Sequence, residues 1–271
     1  MTCIIGRWLK DMPMADINGI RMNYSVTGEG EPVLLITGFG GDTTFFHSLI
    51  PTLADNYRVI VFDNRGAGLT QYRGPFKGQD LVDDVVALLD HLSIFRTHIL
   101  GWSMGAHIAQ EFAIQNPDRV LTLTLVSAYM RRPARSSYFM NNAVNMAIRD
   151  KDPSIIAMMI NSFCFTEDYF ANKEAKNSKI RITDNVEPEN LKHQMYALDD
   201  FDTRGKMGLI KAPTLSIHGL DDIMVEPKMG DEIAAGIKDC KVVRIPNIGH
   251  TIHPSLYAEA FKNHLVNSRQ R

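Results

Sequence analysis

Four apolar runs, Pro32–Thr37, Arg58–Asp63, Thr97–Trp102 and Arg119–Ser127, stand in the first half of the chain with longer segments between them. Strands so uniformly apolar are buried on both faces, as in parallel sheets covered by helices on either side. Parallel neighbours also require long crossovers, and Thr43–Ala54, Gln79–Leu92 and Met104–Gln115 are helix-length segments in the right places. The pattern predicts an α/β fold around a mostly parallel sheet. Ahead of it, Met14–Asn18 and Ile20–Thr27 flank Asn18-Gly19, two residues that tolerate positive φ, which predicts an antiparallel N-terminal hairpin.

The alternation lapses and then resumes with a strand over Pro213–His218, a helix beginning near Glu226, a strand over Lys241–Ile245 and a terminal helix near Pro254–Val266. Between them, residues 128–208 offer helical windows at Ser137–Asp150, Pro153–Cys164 and Pro188–Asp200 and no buried strand. Connections longer than about 15 residues in a compact domain usually have a function or structure of their own. The expected organisation is therefore a core of residues 1–127 and 209–271 with residues 128–208 inserted as a helical lid. Met130, Met140, Met146, Met158, Met159, Met195 and Met207 fall in that segment. Such flexible, polarizable side chains either adapt to an apolar substrate or fill the lid's own small core.

Lys plus Arg number 29 and Asp plus Glu 31, and the net charge of −2 gives no field for gathering nucleic acid or anionic lipid. Neither partner is expected. Cys3, Cys164 and Cys240 lack Cys-x-x-Cys spacing and suit a reducing, cytoplasmic setting. In the N-terminal extension Met1–Pro13, Cys3-Ile4-Ile5 is interrupted by Arg7, Lys10 and Asp11 before a signal-peptide core forms. No apolar stretch approaches the roughly 20 residues of a membrane helix, so a soluble chain is expected. The glycine loops at 38–41 and 66–68 lack phosphate-binding spacings, and the nine histidines show no metal-ligand grouping, so neither cofactor nor metal is expected.

The chemistry centres on Gly101-Trp102-Ser103-Met104-Gly105, a Gly-x-Ser-x-Gly run at the junction of a buried strand and a helix. A turn this sharp holds its central residue in strained backbone geometry above the sheet, at a helix N-terminus, where the dipole favours developing negative charge. Ser103 is the candidate nucleophile. A serine needs a base, and the base an orienting acid. Gly219-Leu220-Asp221-Asp222 and Asn247-Ile248-Gly249-His250 both follow strands, at the rim where open α/β sheets place ligands, in the order Ser, Asp, His.

Over nearly its whole length the sequence resembles the α/β-hydrolase superfamily. The residues that carry the resemblance are the 101–105 elbow, Asp63-Asn64-Arg65-Gly66-Ala67-Gly68, His218-Gly219-Leu220-Asp221-Asp222 and Pro246-Asn247-Ile248-Gly249-His250. It implies an α/β-hydrolase fold with Ser103 as nucleophile, Asp222 as acid with Asp221 as the alternative, and His250 as base in preference to His253. It also implies oxyanion donors at the backbone N–H groups of Phe39 and Met104. Asp63 and Arg65 match a structural loop. Thr37 departs from the pattern, since relatives usually carry His there. The hairpin, lid size and elbow are similar to small bacterial carboxylesterases, including enol-lactonase-like and pimeloyl-carrier methyl-esterase-like members.

The function implied is ester hydrolysis of a small, largely apolar substrate through an acyl-enzyme. Lactone or carbon–carbon bond hydrolysis by the same residues is the alternative, and a small-molecule receptor with slow or no turnover is an alternative of another class. Ser103 sets aside the dehalogenases and epoxide hydrolases, which use a carboxylate nucleophile. Trp102 and Met130 are candidate substrate-binding residues. His107, one helical turn past Ser103, is read as a packing or hydrogen-bonding residue, and Cys164 as an apolar lid residue. The Arg131-Arg132-Pro133-Ala134-Arg135 run is read first as a solvated charged face and second as an attractor for an acidic substrate.

Overall fold

The computed structural model describes residues 13–172 and 188–268. The expected extension at Met1–Pro13 lies, apart from Pro13, outside the described residues, as does Cys3. Eight strands form one sheet in the order β1-β2-β4-β3-β5-β6-β7-β8. Strands β1 (Met14–Ile17) and β2 (Ile20–Thr27) form the antiparallel hairpin, with Ile17 opposite Ile20 and Asn18 and Gly19 at φ 49° and 73°. That is the two-residue turn in which both residues take positive φ. Strand β2 pairs antiparallel with β4 (Tyr57–Phe62). From β4 onward all neighbours are parallel: β3 (Glu31–Ile36), β5 (Thr97–Trp102), β6 (Val120–Val126), β7 (Thr214–Gly219) and β8 (Cys240–Ile245).

The unbroken apolar runs follow from burial on both faces. In β3, Leu34 and Ile36 enter one core cluster, with helices α2 (Gly78–His91) and α3 (Met104–Gln115), while Val33 and Leu35 enter another on the opposite face. The second cluster is closed by Phe46, Leu49 and Leu53 and by Phe261 and Leu265 of the terminal helix. Expected helix Thr43–Ala54 is two pieces instead, a 3-10 turn at Thr43–Phe46 capped by Asp42 and a one-turn helix α1 at Ile50–Leu53. Pro51, with no N–H to donate, cannot carry helical hydrogen bonding through from the first piece. The expected terminal helix likewise resolves into a 3-10 turn at Pro254–Leu256 and a helix over Ala258–Ser268.

Between β6 and β7 the described residues hold α4 (Ala134–Asp150), α5 (Ser154–Cys164), α6 (Glu167–Ala171) and α7 (Pro188–Asp199), and no strand. Tyr129, Met140, Val144, Ile156, Leu191 and Met195 form a third apolar cluster there, together with Met224 and Val225 from beyond β7. Helix α8 (Pro227–Gly236) then leads to β8, and the helix over Ala258–Ser268, α9, closes the chain. Because β3 is flanked by β4 on one side and β5 on the other, the chain reverses its winding between β3 and β5. That switch point is where open α/β sheets form a crevice beyond their carboxyl ends.

Candidate active site

Ser103 sits between β5 and α3 at φ 53°, ψ −113°. Its N–H donates to the Val126 carbonyl at 2.9 Å, fastening the turn to the end of β6. The two glycines are demanded by contact: a Cβ on Gly101 would stand 2.2 Å from the Gly105 carbonyl oxygen, and one on Gly105 2.2 Å from that of Ile36. Without side chains at both, α3 packs directly on the strand ends and Ser103 projects from the turn.

His250 reaches Ser103 from the loop after β8. Its Nε2 lies 2.9 Å from Ser103 Oγ and its Nδ1 2.8 Å from Asp222 Oδ2. A carboxylate only accepts, so Nδ1 carries the proton, and Nε2 is left to accept from the serine hydroxyl. The histidine main chain is fastened as well: its carbonyl accepts from Ser127 Oγ at 2.8 Å and Trp102 Nε1 at 3.3 Å. Asp222 is buried, and its Oδ1 accepts the N–H groups of Met224 (2.9 Å) and Val225 (2.8 Å). Burial pushes its carboxyl up, but the electrostatic pairing with His250 and hydrogen bonds from His218, His250 and Val225 outweigh that and hold it down at about 2. The His218 ring, near the carboxyl end of β7, offers Nε2 to Asp222 Oδ2 at 3.3 Å and to the Val225 carbonyl at 3.0 Å. Asp221 is exposed, its N–H spent on the Ile248 carbonyl. Exposed His253 instead caps the Pro254–Leu256 turn through Ser255.

Phe39 borders the same cavity as Ser103, and Met104 opens α3 directly beside it. The N–H groups of a helix's first turn have no intrahelical acceptor. The Phe39 loop is held from within. Thr37 donates its hydroxyl to the Gly41 carbonyl, and Asn64 Nδ2 donates to both Thr37 oxygens, each at 3.1 Å. Farther out, Gly40 N–H donates to Gln194 Oε1 of α7 at 3.0 Å.

Water-sized room at Ser103 amounts to about 50 Å³, space for a few waters. Tyr129, Met140, Ile160, Leu198 and Met224 give it apolar walls, and Trp102 lines it while stacking on Phe45 at 4.2 Å. Cys164 is also a wall, its thiol pushed up to about 12 by burial and the Asp222 charge. Met130 is not brought to the serine: it packs on the core with its carbonyl accepting from Thr203 N–H at 2.9 Å. Its neighbour Tyr129 lines the cavity.

Arg131 and Arg135 are exposed, as a solvated run requires, but Arg132 departs from that reading. It is buried, borders the cavity, and pairs with Asp199 at 2.7 Å and with Ser137 Oγ at 2.6 Å. The cause is Asp199 at the end of α7, a partner far away in sequence. Asp63 serves structure, accepting from Asn23 Nδ2, Thr43 N–H and Leu69 N–H at 2.8 Å each.

His218, Ser127, Gln194 and Arg132 are the contributors that sequence reasoning missed. His218 alone had a local signal, standing in the His218-Gly219-Leu220-Asp221-Asp222 run that carries Asp222. Among the described residues no group of three or more His, Cys, Asp or Glu side chains is placed to hold a metal ion, and no helix is long and apolar enough to cross a membrane.

Comparison with known proteins gives the same architecture. A 2-hydroxy-6-oxononadienedioate/2-hydroxy-6-oxononatrienedioate hydrolase from Pseudomonas putida is 31% identical, covering 85% of each chain. Among solved structures, a thermophilic esterase from Thermogutta terrifontis is similar at a TM-score of 0.85 and 25% identity over 95% of this chain and 99% of that one. The enol-lactonase from Burkholderia xenovorans LB400 is similar at 0.84 and 26% identity, over 96% and 100%. The family defined by the alpha/beta hydrolase fold matches residues 31–255, a span that includes Ser103, Asp222 and His250 with the strands that carry them, and the chain belongs to that family.

Proposed function

We propose that the protein is a serine hydrolase that cleaves a carboxylic ester of a small, largely apolar substrate through an acyl-enzyme on Ser103, with lactones as the cyclic case of the same chemistry. The observation that carries this reading is the hydrogen-bonded chain from Ser103 Oγ through both nitrogens of His250 to Asp222. His250 Nε2 takes the hydroxyl proton as Ser103 Oγ attacks the carbonyl carbon, and Asp222, ionised because its carboxyl is held at about 2, stabilises the imidazolium. The N–H groups of Phe39 and Met104 receive the negative oxygen. Collapse of the tetrahedral intermediate breaks the bond to the leaving alkoxide, which takes the proton from His250. Water, deprotonated by the same nitrogen, then attacks the acyl-enzyme; the bond from the acyl carbon to Ser103 Oγ breaks, Oγ takes the proton back from His250, and the acid departs. The segment 128–208 acts as the lid, since Tyr129, Met140, Ile160 and Leu198 wall the cavity, and the small space beside Ser103 favours short acyl groups. The esterase and enol-lactonase neighbours support ester and lactone cleavage as the reaction class.

The test is labelling by a fluorophosphonate probe and turnover of p-nitrophenyl acetate and butyrate. Wild type is expected to label and turn over, acetate at least as well as butyrate, and Ser103→Ala to lose both. Asp222→Asn is expected to lower kcat by about 10⁴, the scale on which a mis-set histidine tautomer acts, while Asp221→Asn leaves it unchanged. Activity surviving Ser103→Ala sinks the mechanism, and equal losses at the two aspartates sink the choice of acid.

A further inference from the structure

Gln194 is a polar side chain with no exposed surface, on helix α7. Both ends of its amide are used, and both reach out of the helical segment into the core. Oε1 accepts Gly40 N–H at 3.0 Å, and Nε2 donates to the Arg65 carbonyl at 2.9 Å. These opposite demands fix which end of the amide is oxygen. Gly40, at φ 64°, begins the peptide plane that follows Phe39. The plane that precedes Phe39 is fixed separately. Gly38 lies so close under Trp102 that a Cβ there would meet the indole at 2.7 Å, and its carbonyl accepts Gly41 N–H at 3.1 Å. Phe39 is thus held between two peptide planes, one set by the core and one by α7.

The same helix faces the reaction space on its other turns. Leu198, four residues on, walls the cavity, and Met195 and Asp199 hold Arg132 beside it. The seat of α7 and the direction of the Phe39 amide are therefore one mechanical unit. We infer that Gln194 is a positioning residue that links the lid to the oxyanion donor, aiming the Phe39 N–H while α7 is docked on the core. The inference rests on the serine-hydrolase reading, which supplies the oxyanion that Phe39 meets.

Gln194→Met keeps the side chain's length and removes both hydrogen bonds. Gln194→Glu keeps an acceptor for Gly40 but sets a carboxylate oxygen against the Arg65 carbonyl until it is protonated. With p-nitrophenyl acetate, Gln194→Met is expected to lower kcat by about tenfold, less than the 10²–10³ of a deleted donor, because the Phe39 N–H is displaced and still present, and to leave KM within about twofold. For Gln194→Glu, kcat relative to wild type is expected to rise as pH falls from 8 to 5, since burial raises a carboxyl's pKa and the protonated form can donate to Arg65. A side chain that served packing alone would give a flat ratio. Hydrogen exchange of peptides spanning 37–45 is expected to quicken in Gln194→Met, while β7 peptides exchange as in wild type. A kcat equal to wild type in Gln194→Met, a loss in KM only, or a flat Gln194→Glu ratio overturns the proposal. Should Gln194→Met not fold, the Gln194→Glu profile decides. Should wild type show no turnover, the serine-hydrolase reading fails and exchange decides alone: unchanged loop exchange overturns the linkage, and faster exchange supports it.

Discussion

His107 lies one helical turn past Ser103, but its ring is stacked on Phe201 at 4.8 Å and set edge-on to Tyr129 at 5.0 Å. Complete burial pushes its pKa from the ordinary 6.5 down to about 3, so it is held neutral. Between those values the unfolded chain binds a proton at this residue that the folded chain does not, and folding stability therefore rises with pH. The contribution is fully present above pH 6.5 and falls by about 1.4 kcal/mol for each pH unit below it. Urea midpoints at pH 7.5 and pH 5 are expected to differ less in His107→Phe, which keeps the ring stack and cannot protonate. At this scale the sequence was legible where residue type and chain order mark partners, as with Ser103, Asp222 and His250, which the fold brings into one hydrogen-bonded chain. Arg132 was not legible, because its burial depends on Asp199, 67 positions away, and Ser127 was not, because nothing local marks a strand-end hydroxyl as the partner of the His250 carbonyl.

Arg65, in the loop after β4, donates through Nε to Asp84 Oδ2 at 3.0 Å and through Nη2 to Oδ1 at 2.6 Å, while Asn18 of the hairpin turn donates to the same carboxylate at 2.8 Å. One buried bidentate pair thus joins the hairpin, the loop and α2. Removing one partner strands the other's charge, so Asp84→Ala is expected to lower unfolding free energy by about 3–5 kcal/mol, and the Arg65→Met/Asp84→Leu double variant by clearly less. Denaturant titration of the three proteins reads both values. Strands and the longer helices were legible because unbroken apolar runs and helix-length spacing are written locally. Thr43–Ala54 misread because apolar composition concealed the stop imposed by Pro51. Helix α7 was legible as a helix, but its buried stripe carries Asn190 and Gln194 at i and i+4, polar residues that a hydrophobic pattern places outside.

The sheet brings together residues from three distant stretches because β5, β7 and β8 are parallel and end on one side. Alternation along the sequence was enough to expect this, and the match over residues 31–255 agrees with it. What the alternation could not supply is how the described part of the 128–208 segment meets the core, through contacts such as the Gly40 N–H donating to the Gln194 side chain. The same whole-molecule view gives the backbone of Ser103 a second meaning. A non-glycine residue held at φ 53°, ψ −113° costs of order 1–3 kcal/mol, of which glycine would recover all but the roughly 0.5–1 kcal/mol of its own added chain entropy. Ser103→Gly is expected to melt a few degrees above wild type, at about 2–4 °C per kcal/mol for a chain of this size, while failing to label with the phosphonate. Selection for persistence and selection for turnover therefore pull in opposite directions at one codon, and lineages of this fold released from catalysis are expected to lose the serine to glycine early.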